Sequence, residues 1–266
     1  MNNLKLNDLK PGDVLLCRGE GWVSDLIALL DGGPYSHTAL YVGSNDGKHY
    51  VIQATGQGIR RDEITILQQE TFTDVFRFNK NNHKLGDEDY PYQPLGSNAE
   101  EYASEGIKYA YDHLILLAIL AVTRDIPLDY MTKKILRNII DNAASYLFKL
   151  LDKGKTPMVC SELVYRCFSE ADDHKKYQLS ITGLKLPDYS LDSLEGKTET
   201  YKSKELSAED LELMNAKEAF IELWTKAKGL NGQNPTFIGD PVAACISPKD
   251  LFHSKDLEIA GRLNYE

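Results

Sequence analysis

The hydrophobic period of the chain changes near Ala99, and that change decides what the chain can fold into. Before it, short apolar runs alternate with turn signals. Pro11-Gly12-Asp13 leads into Val14–Cys17, a compact strand. Two more strands are expected over Ser36–Val42 and His49–Thr55, joined by a turn at Asn45-Asp46-Gly47, and another near Val75–Phe78. A short helix fits Val23–Leu30, stopped by Asp31-Gly32-Gly33-Pro34, and Asn79–Asn98 reads as a loop.

Beyond that point the period is helical. One helix is expected over Ala99–Val122. A second, opened by Pro127 and ended by Gly154, carries an apolar stripe from Leu128 and Met131 through Ile139, Ile140 and Leu147 to Leu151. Leu114 to Val122 is apolar on every face and so needs cover on all sides. Met158–Glu170 reads as another helix with Leu163, Val164, Cys167 and Phe168 inward. Asp188–Glu205 is a polar surface excursion, and Ser207 caps a helix running to Lys228. Val242–Ile246 reads as a strand, Pro248–Leu251 as a helical turn and Leu257–Leu263 as a closing strand. The fold class is α+β: one domain over residues 1–266, an antiparallel sheet with helical additions.

Charge and cysteine content narrow the function. The 266 residues carry a formal charge of −10, which argues against a nucleic-acid partner, since nothing here neutralises a row of phosphates. The nine-residue run from Leu114 to Val122 is too short to span a bilayer. With no signal-peptide pattern at the start, a cytoplasmic protein is expected, and secretion without a cleaved signal fits the same sequence. Cys17, Cys160, Cys167 and Cys245 make no disulfide framework. Cys160 and Cys167 share a helix at a separation of about 10.5 Å along the axis, too far to bridge.

Cys160 is the thiol with a nucleophile's position. It opens a helix, where free N–H groups and the dipole favour a thiolate and could hold an oxyanion. The competing reading is that a free cysteine is a small buried apolar residue. Cys17, Cys167 and Cys245, inside apolar strands or a helix stripe, fit core packing better. His37 enters a strand after a Gly-Gly-Pro break, where a histidine can reach a helix N-terminus packed on the sheet. His49, His83, His113, His174 and His253 lie in polar or loop surroundings and form no metal-ligand spacing, so no metal and no cofactor is expected.

Five stretches in order carry a resemblance: Leu9-Lys10-Pro11-Gly12-Asp13-Val14, Ser36-His37-Thr38-Ala39-Leu40-Tyr41, Tyr111-Asp112, Cys160-Ser161-Glu162-Leu163-Val164 and Ile246-Ser247-Pro248-Lys249-Asp250-Leu251. The set resembles the circularly permuted NlpC-type papain-like amidases, the YiiX/YebB-like group, in which the histidine strand precedes the cysteine helix. The resemblance implies a papain-like domain with its catalytic helix packed on an antiparallel sheet. It implies Cys160 as nucleophile, His37 as base, and a thiol acyl-enzyme on small peptides or amino-acid amides. Related permuted members move fatty acyl groups, so an acyltransferase or thioesterase acting on lipid is the alternative, and an inactive binding module a third. Residues 113–156 and 185–230 are longer than that pattern and read as insertions. The first is expected to form a helical subdomain or to wall the cleft.

Where the resemblance leads one to expect a carboxylate after the histidine strand, the chain has Gln53. A carboxylate would orient and charge-stabilise the imidazolium; an amide only orients it. An amide serves in this role in other papain-like enzymes, and it equally fits a tuned or weakened one. A hairpin centred on Asn45 sets position 41 opposite 49 and His37 opposite Gln53. A turn centred between Asp46 and Gly47 shifts the register by an odd count and breaks that pairing.

Overall fold

The computed structural model describes residues 2–106, 109–110, 113–124, 129–184, 186, 207–229 and 240–265. Strand β2 (Val14–Arg18) is apolar from Val14 to Cys17 because both faces of the sheet around it are covered. Val14 and Leu16 enter the larger core, and Leu15 and Cys17 enter a smaller one on the opposite face with Ala39, Tyr41, Val51 and Val75. That split follows from the period of two.

The other strands of this sheet are β1 (Asn3–Leu4), β3 (His37–Asn45), β4 (Lys48–Thr55), β5 (Gly58–Glu63), β6 (Phe72–Lys80), β7 (His83–Lys84) and β10 (Leu257–Leu263). The order is β1-β10-β6-β2-β3-β4-β5, with β7 hydrogen-bonded to β6. The fold is α+β as expected, but the sheet is larger than a small antiparallel one and is mixed, since β1 runs parallel to β10. No helix among the described residues is long and apolar enough to cross a membrane.

Helix α1 (Trp22–Asp31) follows β2 and ends on Gly32 in the left-handed region. The expected helix over Ala99–Val122 is two helices. Helix α2 runs over Gln93–Ser104, begins inside the stretch read as loop, and is started by Pro94. Helix α3 covers His113–Thr123. The interruption holds Gly106, where a Cβ would lie 2.1 Å from the Ile59 carbonyl oxygen. The chain passes so close to β5 that only glycine fits, a tertiary constraint invisible to a helical period. Tyr111-Asp112 lies outside the described residues, as do Pro127, Leu128 and Asp188–Glu205.

Helix α4 (Tyr130–Asp152) is capped by Asp129, whose carboxylate accepts the Thr132 N–H at 2.8 Å. Its stripe is buried at Leu136, Ile139, Ile140, Ala143, Leu147 and Leu150, but Met131 and Ile135 are exposed. Helix α3 is buried from Ile115 to Ala121, between α1 on one side and α4 and α6 (Ala208–Ala227) on the other. Val242–Ile246 is not a strand. Asp240 accepts from the N–H groups of Val242 and Ala243, and with Pro241 it starts the short helix α7 (Pro241–Cys245). Helix α8 (Pro248–Phe252) follows with Ser247 as its cap.

Helix α5 (Cys160–Ser169) packs on β3 and β4 and is buried from Cys160 to Phe168. Its approach is fixed by two short strands, β8 (Tyr109–Ala110) and β9 (Thr156–Pro157), paired in parallel. It is also fixed by charge. Glu162 has no exposed surface and accepts from Lys228 Nζ at 2.6 and 2.8 Å and from Arg166 Nε at 2.9 Å. Lys228, just past α6, also donates to the Pro157 carbonyl. Replacing Lys228 by methionine leaves Glu162 buried with Arg166 alone, and should lower stability by about 3 kcal/mol. Combining it with Glu162→Gln should recover part of the loss. Urea unfolding measures both, and a Lys228→Met protein as stable as the parent would show that the pair is not a structural anchor.

Candidate active site

The site begins with a question of parity in the β3–β4 hairpin. The turn pairs Asn45 with Lys48, Ser44 with His49 and Gly43 with Tyr50, so it is centred between Asp46 and Gly47. That register alone would send His37 and Gln53 to opposite faces. Past Gly43 the pairing shifts, with Tyr41 opposite Val51 and Leu40 opposite Ile52. Val42 is the extra residue of a β-bulge, next to Gly43 at φ 114°. The bulge restores an even count. His37 and Gln53 share a face, with Gln53 continuing the register opposite Ala39, diagonal to His37 rather than directly opposed. Two long side chains span a diagonal, and His37 Nε2 lies 2.8 Å from Gln53 Oε1.

With Nε2 taken by Gln53, Nδ1 is the ring nitrogen left for Cys160. The Cys160 thiol and His37 are hydrogen-bonded and share charge. Burial pushes the thiol up, but the His37 charge, its hydrogen bond and the Thr38 backbone outweigh that and hold Cys160 below the ordinary thiol range. Burial pushes His37 down. The Cys160 charge and hydrogen bond, the Gln53 oxygen and the Glu70 charge overcome it and raise His37 to about 9. Both shifts favour transfer of the thiol proton to the imidazole. Helix α5 adds unsatisfied N–H groups, because its N-cap is Val159, which offers no side-chain acceptor.

Behind Gln53 stands a carboxylate the sequence reading passed over. Gln53 Nε2 donates to Asp62 Oδ2 at 3.0 Å, and Arg60 Nη2 donates to Asp62 Oδ1 at 2.7 Å. Both belong to β5, a strand absent from the expected set. Its charged alternation, Arg60-Arg61-Asp62-Glu63, hides an inward face under polar residue types. The pairing of Val51 with Asp62 and Gln53 with Arg60 brings Asp62 onto the Gln53 amide.

A cavity of about 920 Å³ opens over His37 and Gln53. Residues 19, 20 and 22–24, residues 53–57, residues 66, 67, 69 and 70, and the first residues of α3, His113 and Leu114, form its walls. The first wall is held to β3 by Ser36, whose hydroxyl accepts from Gly19 N–H at 2.9 Å and from Ser24 Oγ at 2.5 Å. Trp22, Ile66 and Leu114 give apolar surface, and Glu20 and Glu70 give negative charge. Burial, with Glu20 adding to it and His37 opposing, raises the Glu70 carboxyl above its usual range. The Cys160 sulfur has no exposed surface and meets the cavity through His37.

Of the remaining candidates Cys17 lies opposite His37 on β2, and the others are dispersed. Cys17, Cys167 and Cys245 are buried, as expected of core residues, although Cys245 sits on α7 rather than a strand. Burial pushes Cys17 and Cys167 well above the ordinary thiol range. His83, His113, His174 and His253 are exposed, whereas His49 is half-buried, 2.7 Å from the Tyr41 hydroxyl. Among the described residues no three His, Cys, Asp or Glu side chains gather as a metal site.

No protein-family model matches the chain, and no curated protein matches it. Among solved structures it is similar to that of the metalloprotein YiiX from Escherichia coli O157:H7, at 15% identity and a TM-score of 0.44, over 97% of this chain and 98% of that one.

Proposed function

We propose that the chain is a cysteine amidase built on a circularly permuted papain-like unit, hydrolysing amide bonds of small peptides or amino-acid amides. One observation carries this reading: a thiol at the first residue of a buried helix, held below its ordinary range by a histidine whose far nitrogen is bound to an amide. A structural cysteine has no need of such partners, and Cys17 and Cys167, equally buried, are pushed the other way. The chain order, β3 before α5, fits the permuted arrangement.

His37 Nδ1 takes the Cys160 proton, and the thiolate attacks the carbonyl carbon while the N–H groups at the start of α5 hold the oxyanion. The C–N bond breaks as the imidazolium protonates the leaving nitrogen, leaving a thioester. Water then attacks, giving its proton to His37, and the thiol is released with the carboxylic acid. Glu20 and Glu70 in the cavity wall favour a substrate with an ammonium group over a plain fatty acyl chain.

Cys160→Ala should abolish turnover and leave the fold intact. Iodoacetamide at neutral pH should label Cys160 ahead of Cys17, Cys167 and Cys245, and mass spectrometry after incubation with peptide amides should find the acyl group on Cys160. An acyl adduct from lipid donors only would select the acyltransferase reading; labelling of another cysteine first, with Cys160→Ala still active, would remove Cys160 as nucleophile.

The two perturbed groups also set the pH profile. Turnover should rise as pH climbs through the lowered Cys160 value, where the thiolate forms, and fall again near pH 9, where His37 loses the proton it gives to the leaving nitrogen. Alkylation of Cys160 needs the thiolate alone and should hold its plateau above pH 9. Turnover and alkylation falling together there would mean that His37 is not the acid.

A further inference from the structure

We propose that Asp62 is a positioning residue of this site, fixing through the Gln53 amide which nitrogen of His37 carries the proton. The proposal rests on the reading of Cys160 and His37 as nucleophile and base.

An ionised carboxylate only accepts hydrogen bonds, whereas an amide has one end that donates and one that accepts. Gln53 Nε2 donates to Asp62 Oδ2 at 3.0 Å, so Oε1 is the atom left for His37. The reverse orientation would set the Gln53 carbonyl against the carboxylate and is excluded by charge. Facing an acceptor at 2.8 Å, His37 Nε2 must carry the hydrogen. The neutral ring then has its lone pair on Nδ1, toward Cys160, and can take the thiol proton. A reversed Gln53 would offer its NH₂ to Nε2 and favour the Nδ1–H tautomer, which has no lone pair for the thiol.

Asp62 is itself held. Its side chain is 7% exposed, Arg60 Nη2 donates to the other oxygen at 2.7 Å, and β5 is in register with β4 along its length. The direction of every bond from Arg60 to Cys160 is therefore set from the strand edge inward. Without Asp62 the amide of Gln53 has no preferred direction, and part of the population carries an unproductive histidine.

The test has a spectroscopic and a kinetic arm. In a Cys160→Ala protein at pH 8, ¹⁵N NMR of His37 should show the Nε2–H tautomer, and adding Asp62→Asn should give a mixture with Nδ1–H. In the active protein, Asp62→Asn should lower kcat by about 10–100-fold with little change in KM. Gln53→Glu alone should also be slow, because it faces Asp62 with a second carboxylate. The swap Gln53→Glu with Asp62→Asn restores an acceptor at His37 and should recover part of the rate, the full charge beside the ring and the lost Arg60–Asp62 ion pair keeping it below the parent. A purely structural Asp62 predicts no such rescue. Parental kcat and pure Nε2–H in Asp62→Asn, or a swap no faster than either single variant, overturns the proposal. If the tautomer shifts but no substrate ever modifies Cys160, the amidase reading fails and the role of Asp62 stands. If hydrolysis proceeds through Cys160 with the tautomer unmoved, Asp62 alone is dismissed.

Discussion

Glu162 is the interaction on which the rest of the site depends. It is the third residue of a helix buried along nearly its whole length, and an unpaired carboxylate there would cost several kcal/mol. Lys228 and Arg166 satisfy it, and Arg166 in turn binds Glu170, which accepts from the Tyr102 hydroxyl at 2.6 Å. The network therefore runs from α6 through α5 to α2. Lys228 also holds Pro157, three residues before Cys160. Residues that read as an insertion are thus bound to the cysteine helix by charge, and the start of α3 contributes to the cavity wall. The added helices are part of the site's construction rather than decoration on its surface.

The histidine depends on a different constraint, the parity of one hairpin. Asp46 and Gly47, both at positive φ, centre the turn, and that register is wrong by one residue for a His37–Gln53 pair. Val42 corrects it. A bulge also bends its strand and increases the local twist. The strand that carries His37 is therefore aimed by a residue five positions away.

How much of this was legible follows from the range of each signal. The apolar runs of β2, β3, β4, β6 and β10 and the start of α5 are local patterns and read directly from the sequence. Cys160, His37 and Gln53 were picked out by order and resemblance, and the structure brings them together. Most of the failures are tertiary. Gly106 breaks a helical period because Ile59 of another strand lies against it. Val242–Ile246 has strand-like composition but follows Asp240-Pro241, a cap and a helix starter, so the local start signal outranked composition. Strand β5 was missed because the charged run from Arg60 to Glu63 looks solvent-facing throughout, although Asp62 is buried against Gln53. A bulge leaves no sequence mark beyond the glycine next to it.

The amide at position 53 then has a physical reason. In the proposed amidase the imidazolium gives its proton to a leaving nitrogen, and His37 is already raised to about 9, against its burial, by the Cys160 charge, by Gln53 and by Glu70. A carboxylate at position 53 would add a full charge beside the ring, on the order of 4 kcal/mol of attraction at 4 Å in a medium of effective dielectric about 20. That attraction would hold the proton more tightly at the moment it must leave. Gln53 passes on the direction of Asp62 without its charge, and Arg60 neutralises that charge on the far side. Orientation and acidity, which a single carboxylate would tie together, are set here by separate groups.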